Sequence, residues 1–179
     1  MRETDLIRSL RAVRQFSDRQ VPDDVLLDIL ATGRWTGSSK NTQPWDLIVV
    51  RNRETLAALS KCGKFAGHLA GATLAIALVM HGDDAWTCMD EGRLMQNLML
   101  AAWAHGVGSC IGSIYPEDNE RRARDLLGIP ANLFLRTALS VGYPASPQAL
   151  RLPPNATVPK GRRPLDDVVS WERLGNRRR

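Results

Sequence analysis

Apolar positions along this chain recur at two periods, helical and strand-like, and the two alternate. Over residues 5–16, Leu6, Leu10 and Val13 share one side of a short predicted helix. A second helix is expected after Val21-Pro22. Proline is tolerated in a first turn, Asp23 and Asp24 suit the positive end of the helix dipole, and Leu26, Ile29 and Leu30 make a face. Asn52 is placed to cap a third helix running to about Cys62, with Leu56 and Leu59 inward. The longest helical pattern covers 84–105: Leu94, Leu98, Ala101 and Ala102 form a stripe, Met95 and Met99 flank it, and Gly106 is the stop signal. Small and apolar residues wrap widely around this helix, so it reads as central or interfacial. Its Asp90, Glu91, Gln96 and Asn97 read as its polar face. Pro116 opens a charged helix ending at Leu127-Gly128.

Strand-like runs separate these helices. Leu47-Ile48-Val49-Val50 lies in an expected strand over 46–51, and 73–80 is a continuous β-type apolar run. Residues 107–114 give a short strand laced with glycine, which marks close approach of another backbone or a ligand. Residues 133–143 give a fourth. Strands alternating with helices point to an α+β or α/β domain. After Pro144 the pattern changes: prolines at 144, 147, 153, 154, 159 and 164 mark an extended segment. A last amphipathic turn over 165–174 carries Val168, Val169 and Trp171. Residues 1–179 are read as one domain, with 143–171 an extended C-terminal arm and 172–179 a disordered basic tail. Such an arm has little core in its own subunit, so a domain-swapped embrace of a second copy is expected.

Composition narrows the class. With 179 residues, 44% hydrophobic and 24% charged, the chain suits one soluble globular domain. The longest apolar run, interrupted by Gly71 and Thr73, falls short of a membrane span, and Met-Arg-Glu-Thr-Asp lacks the apolar core of a secretory signal. Cys62, Cys88 and Cys110 are odd in number and widely spaced, matching neither a disulfide framework nor a metal site. A reducing cytoplasm is the expected setting. The net charge of +5 resides wholly in residues 151–179, because 1–150 is balanced at 16 basic and 16 acidic residues. A duplex binder carries its basic stripe on a folded face, so nucleic acid is not the expected partner.

Candidate chemistry concentrates in three places. Arg11-Ala12-Val13-Arg14-Gln15-Phe16 offers two guanidiniums that a helix would place on one side, forks of donors suited to phosphate or a carbonyl-rich ring edge. Thr36-Gly37-Ser38-Ser39-Lys40-Asn41-Thr42-Gln43-Pro44-Trp45 is a small-residue polar loop feeding a strand, where ligand contacts are common. Pro44 should hold Gln43 extended. Lys160-Gly161-Arg162-Arg163 reads as a phosphate clamp or a solvated basic segment. Gly106-Val107-Gly108-Ser109-Cys110-Ile111-Gly112-Ser113 has the wrong final spacing for a dinucleotide fingerprint; a backbone N–H there could face a ring nitrogen. The three histidines, His68, His81 and His105, lack metal-ligand spacing, and no G-x-S-x-G is present. Cys110 has no neighbouring base in sequence to activate it as a nucleophile.

Taken together, these segments resemble the FMN-dependent nitroreductase family. Residues 11–16 are similar to its R-S-x-R-x-F opening and 38–45 to its S-x-x-N-x-Q-P-W loop. Residues 90–113 are similar to its D-x-G…Q-N-L…G-x-G-[ST]-C block, and 160–171 to its closing K-x-R-R-P-L-x-x-V-V-x-W. The resemblance implies an α+β nitroreductase-like fold, a central mostly antiparallel sheet flanked by helices, and an obligate homodimer with swapped C-terminal arms and two interfacial FMN sites. It implies that Arg11, Ala12, Arg14, Lys160 and Arg162 line the phosphate, ribityl and N1–C2 end, with Arg14 the electrostatic stabiliser of reduced flavin. Ser38, Ser39 and Asn41 would contact the ring from the second subunit, and Ser113 or Ile114 would present an amide to N5. No side-chain acid or base and no metal is required. NAD(P)H would reduce the flavin, and a nitroaromatic, quinone or enone would reoxidise it in ping-pong order. A flavin-dependent dehydrogenase, desaturase or reductive dehalogenase of the same fold is the nearest alternative. A non-catalytic binding or regulatory protein using its basic tail is the alternative from another class. Ala12 stands where the family usually has serine, Gly37 where it has proline, and Ile111 where many members have an aromatic. The chain is also short for the family, leaving little room for an inserted lid.

Overall fold

The computed structural model describes residues 3–150 and 161–177. Its frame is a four-stranded antiparallel sheet: β1 (Trp45–Val50), β2 (Leu74–Met80), β3 (Gly108–Ser113) and β4 (Phe134–Gly142), in spatial order β1-β2-β4-β3. All seven residues of β2 are buried, and strand periodicity sorts them. Leu74, Ile76, Leu78 and Met80 meet one core, which includes Leu26 and Ile29 of α2 (Asp23–Arg34) and Leu94, Leu98 and Ala102 of α4 (Ala85–Ala104). Ala75, Ala77 and Val79 meet the other, with Leu56 and Leu59 of α3 (Arg53–Leu59), Leu69, and Ala123 of α5 (Glu117–Leu127). The sheet is thus covered on both faces, as its nearly continuous apolar central strand requires.

Local signals account for most boundaries. Asn52 accepts from the Thr55 amide at 2.9 Å and starts α3. Asp84 accepts from the Trp86 and Thr87 amides and starts α4, satisfying donors that a helix N-terminus leaves open. Gly128 closes α5 in the left-handed conformation, φ 67°. At Gly33 the α2 backbone lies against Leu98 of α4, with no room for a Cβ.

The N-terminal helix is shorter than its periodicity suggests. α1 spans Glu3–Ser9, and the chain then runs extended beside the outer edge of β3. Ala12 forms a parallel bridge with Ser109, and the Val13 amide donates to Ser109 O at 2.9 Å. The cause is tertiary. Val13, fully buried, packs where a Cβ on Gly108 would come within 2.5 Å of its Cγ2. Phe16 likewise packs on Gly142. Glycine within these strands therefore marks close approach, as expected of it.

The C-terminal region also differs from an unstructured tail where it is described. Residues 161–177 contain a short 3-10 turn, Leu165–Asp167. The Trp171 amide donates to Asn176 O at 2.8 Å, and Arg177 donates to Asp166 O and Val169 O at 2.9 Å each. The first part of the 172–179 tail is thus a hydrogen-bonded loop. Among the described residues no helix is long and apolar enough to cross a membrane.

Candidate functional site

The polar loop after α2 is fastened to α4 by side chains. Thr36, 4% exposed, accepts from Asn97 Nδ2 at 2.8 Å. Asp90 Oδ2 accepts from the Ser39 amide at 2.9 Å, and Asp90 Oδ1 lies 3.2 Å from Arg93 Nη1. The Ser38 hydroxyl accepts from the Gln43 amide at 2.8 Å, closing the loop on itself. Between these ties the backbone is left-handed at Lys40 (φ 50°), Asn41 (φ 57°) and Gln43 (φ 48°). The extended Gln43 expected from Pro44 is therefore absent.

Asp90 and Glu91 are the clearest correction on α4. Read from sequence as a polar face, they are 3% and 7% exposed. Asp90 holds the loop. Glu91 accepts from the Thr137 hydroxyl of β4, and burial, more than any neighbour, pushes its carboxyl above the usual range. An open cleft of about 550 Å³ lies beside the loop, lined by Ser39, Lys40, Pro44, His81, Trp86 and Asp90 among others.

The outer edge of β3 collects the second set of residues. Ser109 O takes the Val13 amide, and Ile111 O lies 3.2 Å from His68 Nε2. The other ring nitrogen, His68 Nδ1, lies 2.8 Å from the hydroxyl of buried Ser140. Burial lowers the His68 pKa, and the positive charge of Arg14 lowers it further. At neutral pH the ring is therefore uncharged; Nε2–H donates to Ile111 O, and Nδ1 faces the Ser140 hydroxyl, which also reaches Cys110 O at 3.3 Å. Arg14 also acts on Cys110, but burial dominates there and raises the thiol pKa, so Cys110 stays protonated and inert. Sequence reasoning passed over His68. It sits in a 3-10 turn, Gly67–Gly71, with no pattern to signal its partners.

The predicted residues now have places. Arg11 and Arg14 are both exposed, but they follow an extended segment, so they do not share a helix face. Arg11 donates to Arg8 O and Leu10 O, each at 2.9 Å. Ala12 is exposed against β3. Ser38 is half-buried, whereas Ser39 and Asn41 are exposed on the clamped loop. Ser113 is exposed at the end of β3. Ile114 is buried and its amide donates to Arg136 O at 2.8 Å, so that N–H is already committed. Its register leaves Ser113, opposite Thr137 at a non-hydrogen-bonded position, with its amide toward the open edge. Arg162 is exposed and donates to Gly161 O at 3.1 Å. Lys160 lies outside the described residues. Among the described residues no cluster of His, Cys, Asp and Glu could hold a metal ion.

Comparison with known proteins agrees with this architecture. The family model described as Nitroreductase family matches residues 7–66 and 59–143. A protein of Archaeoglobus fulgidus provisionally named NADH dehydrogenase/NAD(P)H nitroreductase is 36% identical over 146 residues, covering 78% of this chain and 83% of that one. The NADH dehydrogenase of Thermus thermophilus is 26% identical over 200 residues, covering 90% and 91%. Among solved structures, the FMN-dependent nitroreductase of Clostridium difficile R20291 superposes with TM-score 0.74 at 26% identity, covering 79% of this chain and 87% of that one. A nitroreductase family protein of Clostridium difficile 630 does so with TM-score 0.80 at 26% identity, covering 97% and 100%. By sequence and by fold, the chain belongs to the nitroreductase family.

Proposed function

We propose that this protein is an FMN-dependent oxidoreductase that takes reducing equivalents from NAD(P)H and passes them to a nitroaromatic, quinone or enone acceptor in ping-pong order. The observation that carries the reading is the extended segment laid along the outer edge of β3 by the Ala12–Ser109 bridge and the Val13 amide, which brings exposed Arg14 to that edge. The donor set suits FMN. Exposed guanidiniums at Arg11 and Arg14 match a nearly dianionic phosphate and a carbonyl-rich ring edge, and the outward amide of Ser113 matches a ring nitrogen. Lys160 and Arg162 would complete the phosphate site, and Ser38, Ser39 and Asn41 would reach the ring from a second copy of the chain.

Bound FMN would supply the hydride acceptance and donation itself. The chain's part is placement and charge. Arg14 would face the ring edge and offer a fixed positive charge to the negative charge of reduced flavin. Neutral His68, fixed between Ser140 and Ile111, keeps the neighbourhood of Arg14 from gaining a second positive charge. Protonated Cys110 adds no competing thiolate. The same reading makes it a cytoplasmic homodimer without nucleic-acid or membrane partners. Trp86, Met89, Ile111 and Trp171 are apolar and 65%, 57%, 42% and 39% exposed, which supports a second copy as the natural cover.

A visible spectrum of the purified protein, with and without added FMN, is the first test. Flavin absorbance and stopped-flow reduction by NADH or NADPH are expected. A preparation that takes up no flavin excludes the reading, and a flavoprotein reduced by neither donor shifts it to a dehydrogenase. Arg14→Ala should slow reduction about 100-fold while leaving the fold intact. Deleting 151–179 should cost dimer and flavin together; a folded monomer would favour a binding protein with a basic tail.

A further inference from the structure

The loop Ser38–Gln43 holds three non-glycine residues at positive φ within four positions: Lys40, Asn41 and Gln43. Such conformations persist only where the surroundings over-determine them. Here one determinant comes from far along the chain. The Asp90 carboxylate, its side chain 4% exposed, accepts from the Ser39 amide at 2.9 Å across 51 residues of sequence, and its other oxygen faces the Arg93 guanidinium at 3.2 Å. Arg93 in turn lies over Gly37, where a Cβ would stand 2.7 Å from Nη2. Asn97 reaches Thr36 at 2.8 Å. Asp90, Arg93 and Asn97 are spaced i, i+3, i+7, so they form one polar stripe of α4, and the stripe grips the loop from Thr36 to Ser39.

We infer that Asp90 is the positioning residue of the flavin-contacting loop: through the Ser39 amide it sets where Ser38, Ser39 and Asn41 stand. The inference rests on the proposed FMN site. Its physical content is a division of labour within the loop. The Ser39 amide is spent inward on Asp90 in a charge-assisted bond. The Ser38 oxygen accepts the Gln43 amide, which leaves the Ser38 hydroxyl proton free to donate elsewhere. The Ser39 and Asn41 side chains stay exposed. Inward bonds therefore fix the backbone, and outward groups remain for the ring. Without Asp90 the strained segment loses its external tie and samples other backbone states, so binding must then supply the ordering.

The test compares wild type with Asp90→Ala and Asp90→Asn, using FMN itself as titrant and flavin fluorescence and the visible spectrum as readouts. Asp90→Ala is expected to weaken FMN binding about tenfold to a hundredfold, and to move the bound spectrum toward that of free FMN. Asp90→Asn retains an oxygen acceptor for the Ser39 amide, so it should recover most of the affinity. Hydrogen exchange at the Ser39 amide in the flavin-free protein gives a second measurement: protection in wild type, loss in Asp90→Ala. A wild type that takes up FMN while Asp90→Ala matches it in affinity and spectrum overturns this inference alone, as does an Asp90→Asn no better than Asp90→Ala in a folded protein. A wild type that takes up no FMN overturns the functional reading, and with it the cofactor role of Asp90.

Discussion

The two halves of the candidate site are built by different physics. The Thr36–Trp45 loop is held by polar side chains of α4, buried Asp90 and half-buried Asn97, whose hydrogen bonds leave its backbone little freedom. The edge of β3 is held mainly by close approach at glycine, Val13 on Gly108 and Gly63 against Ser113, with an amide bond into Ser109 O and His68 Nε2 on Ile111 O. The loop half is therefore specified by hydrogen-bond chemistry and the edge half chiefly by glycines whose missing side chains let neighbours approach. The edge half also carries its charges outward, with Arg11 and Arg14 exposed. A polar clamp tolerates changes in volume and fails when an acceptor is lost; a glycine seam does the reverse.

That contrast can be broken most severely at the seam. Gly63→Ala would drive a Cβ into the Ser113 carbonyl, a backbone atom that cannot swing aside. A loss of about 3 kcal/mol is expected in urea unfolding, and a variant as stable as wild type would show that the seam yields. At the clamp, Asn97→Ala should cost about 1–2 kcal/mol by leaving the buried Thr36 hydroxyl without its donor. A larger loss than at Gly63 would reverse the contrast. His68 gives the smallest and sharpest effect. Its pKa is lowered in the folded state, so the unfolded chain binds the proton more readily and stability falls as pH drops below the ordinary value of 6.5. His68→Gln removes that titration, so its stability should vary less with pH over the same range. Parallel slopes for the two proteins would remove His68 from the account.

Much of the frame was legible because its signals are local. The Asn52 cap, the Gly128 stop and the apolar run of β2 each act within a few residues of where they stand, and each element formed close to where it was expected. The loop's small polar residues also announced a turn-rich connection into β1. Less legible was the depth of Asp90 and Glu91. An acidic pair on a helix reads as solvated until the groups that desolvate and satisfy it, the Ser39 amide and the Thr137 hydroxyl, arrive from elsewhere. The spacing of Asp90, Arg93 and Asn97 was the available hint.

Residues 10–16 show where sequence stops and structure takes over. Leu6, Leu10 and Val13 fit a helix as well as anything local can judge, and Ser9 does end one. What made the rest extended was a glycine about 95 residues downstream, offering a groove that Val13 fills. Short-range propensity and periodicity determined the elements, the class of fold and the kind of chemistry on offer. Long-range packing decided which polar groups are buried, which backbone is strained, and where the guanidiniums point, because those energies exist only once distant segments meet.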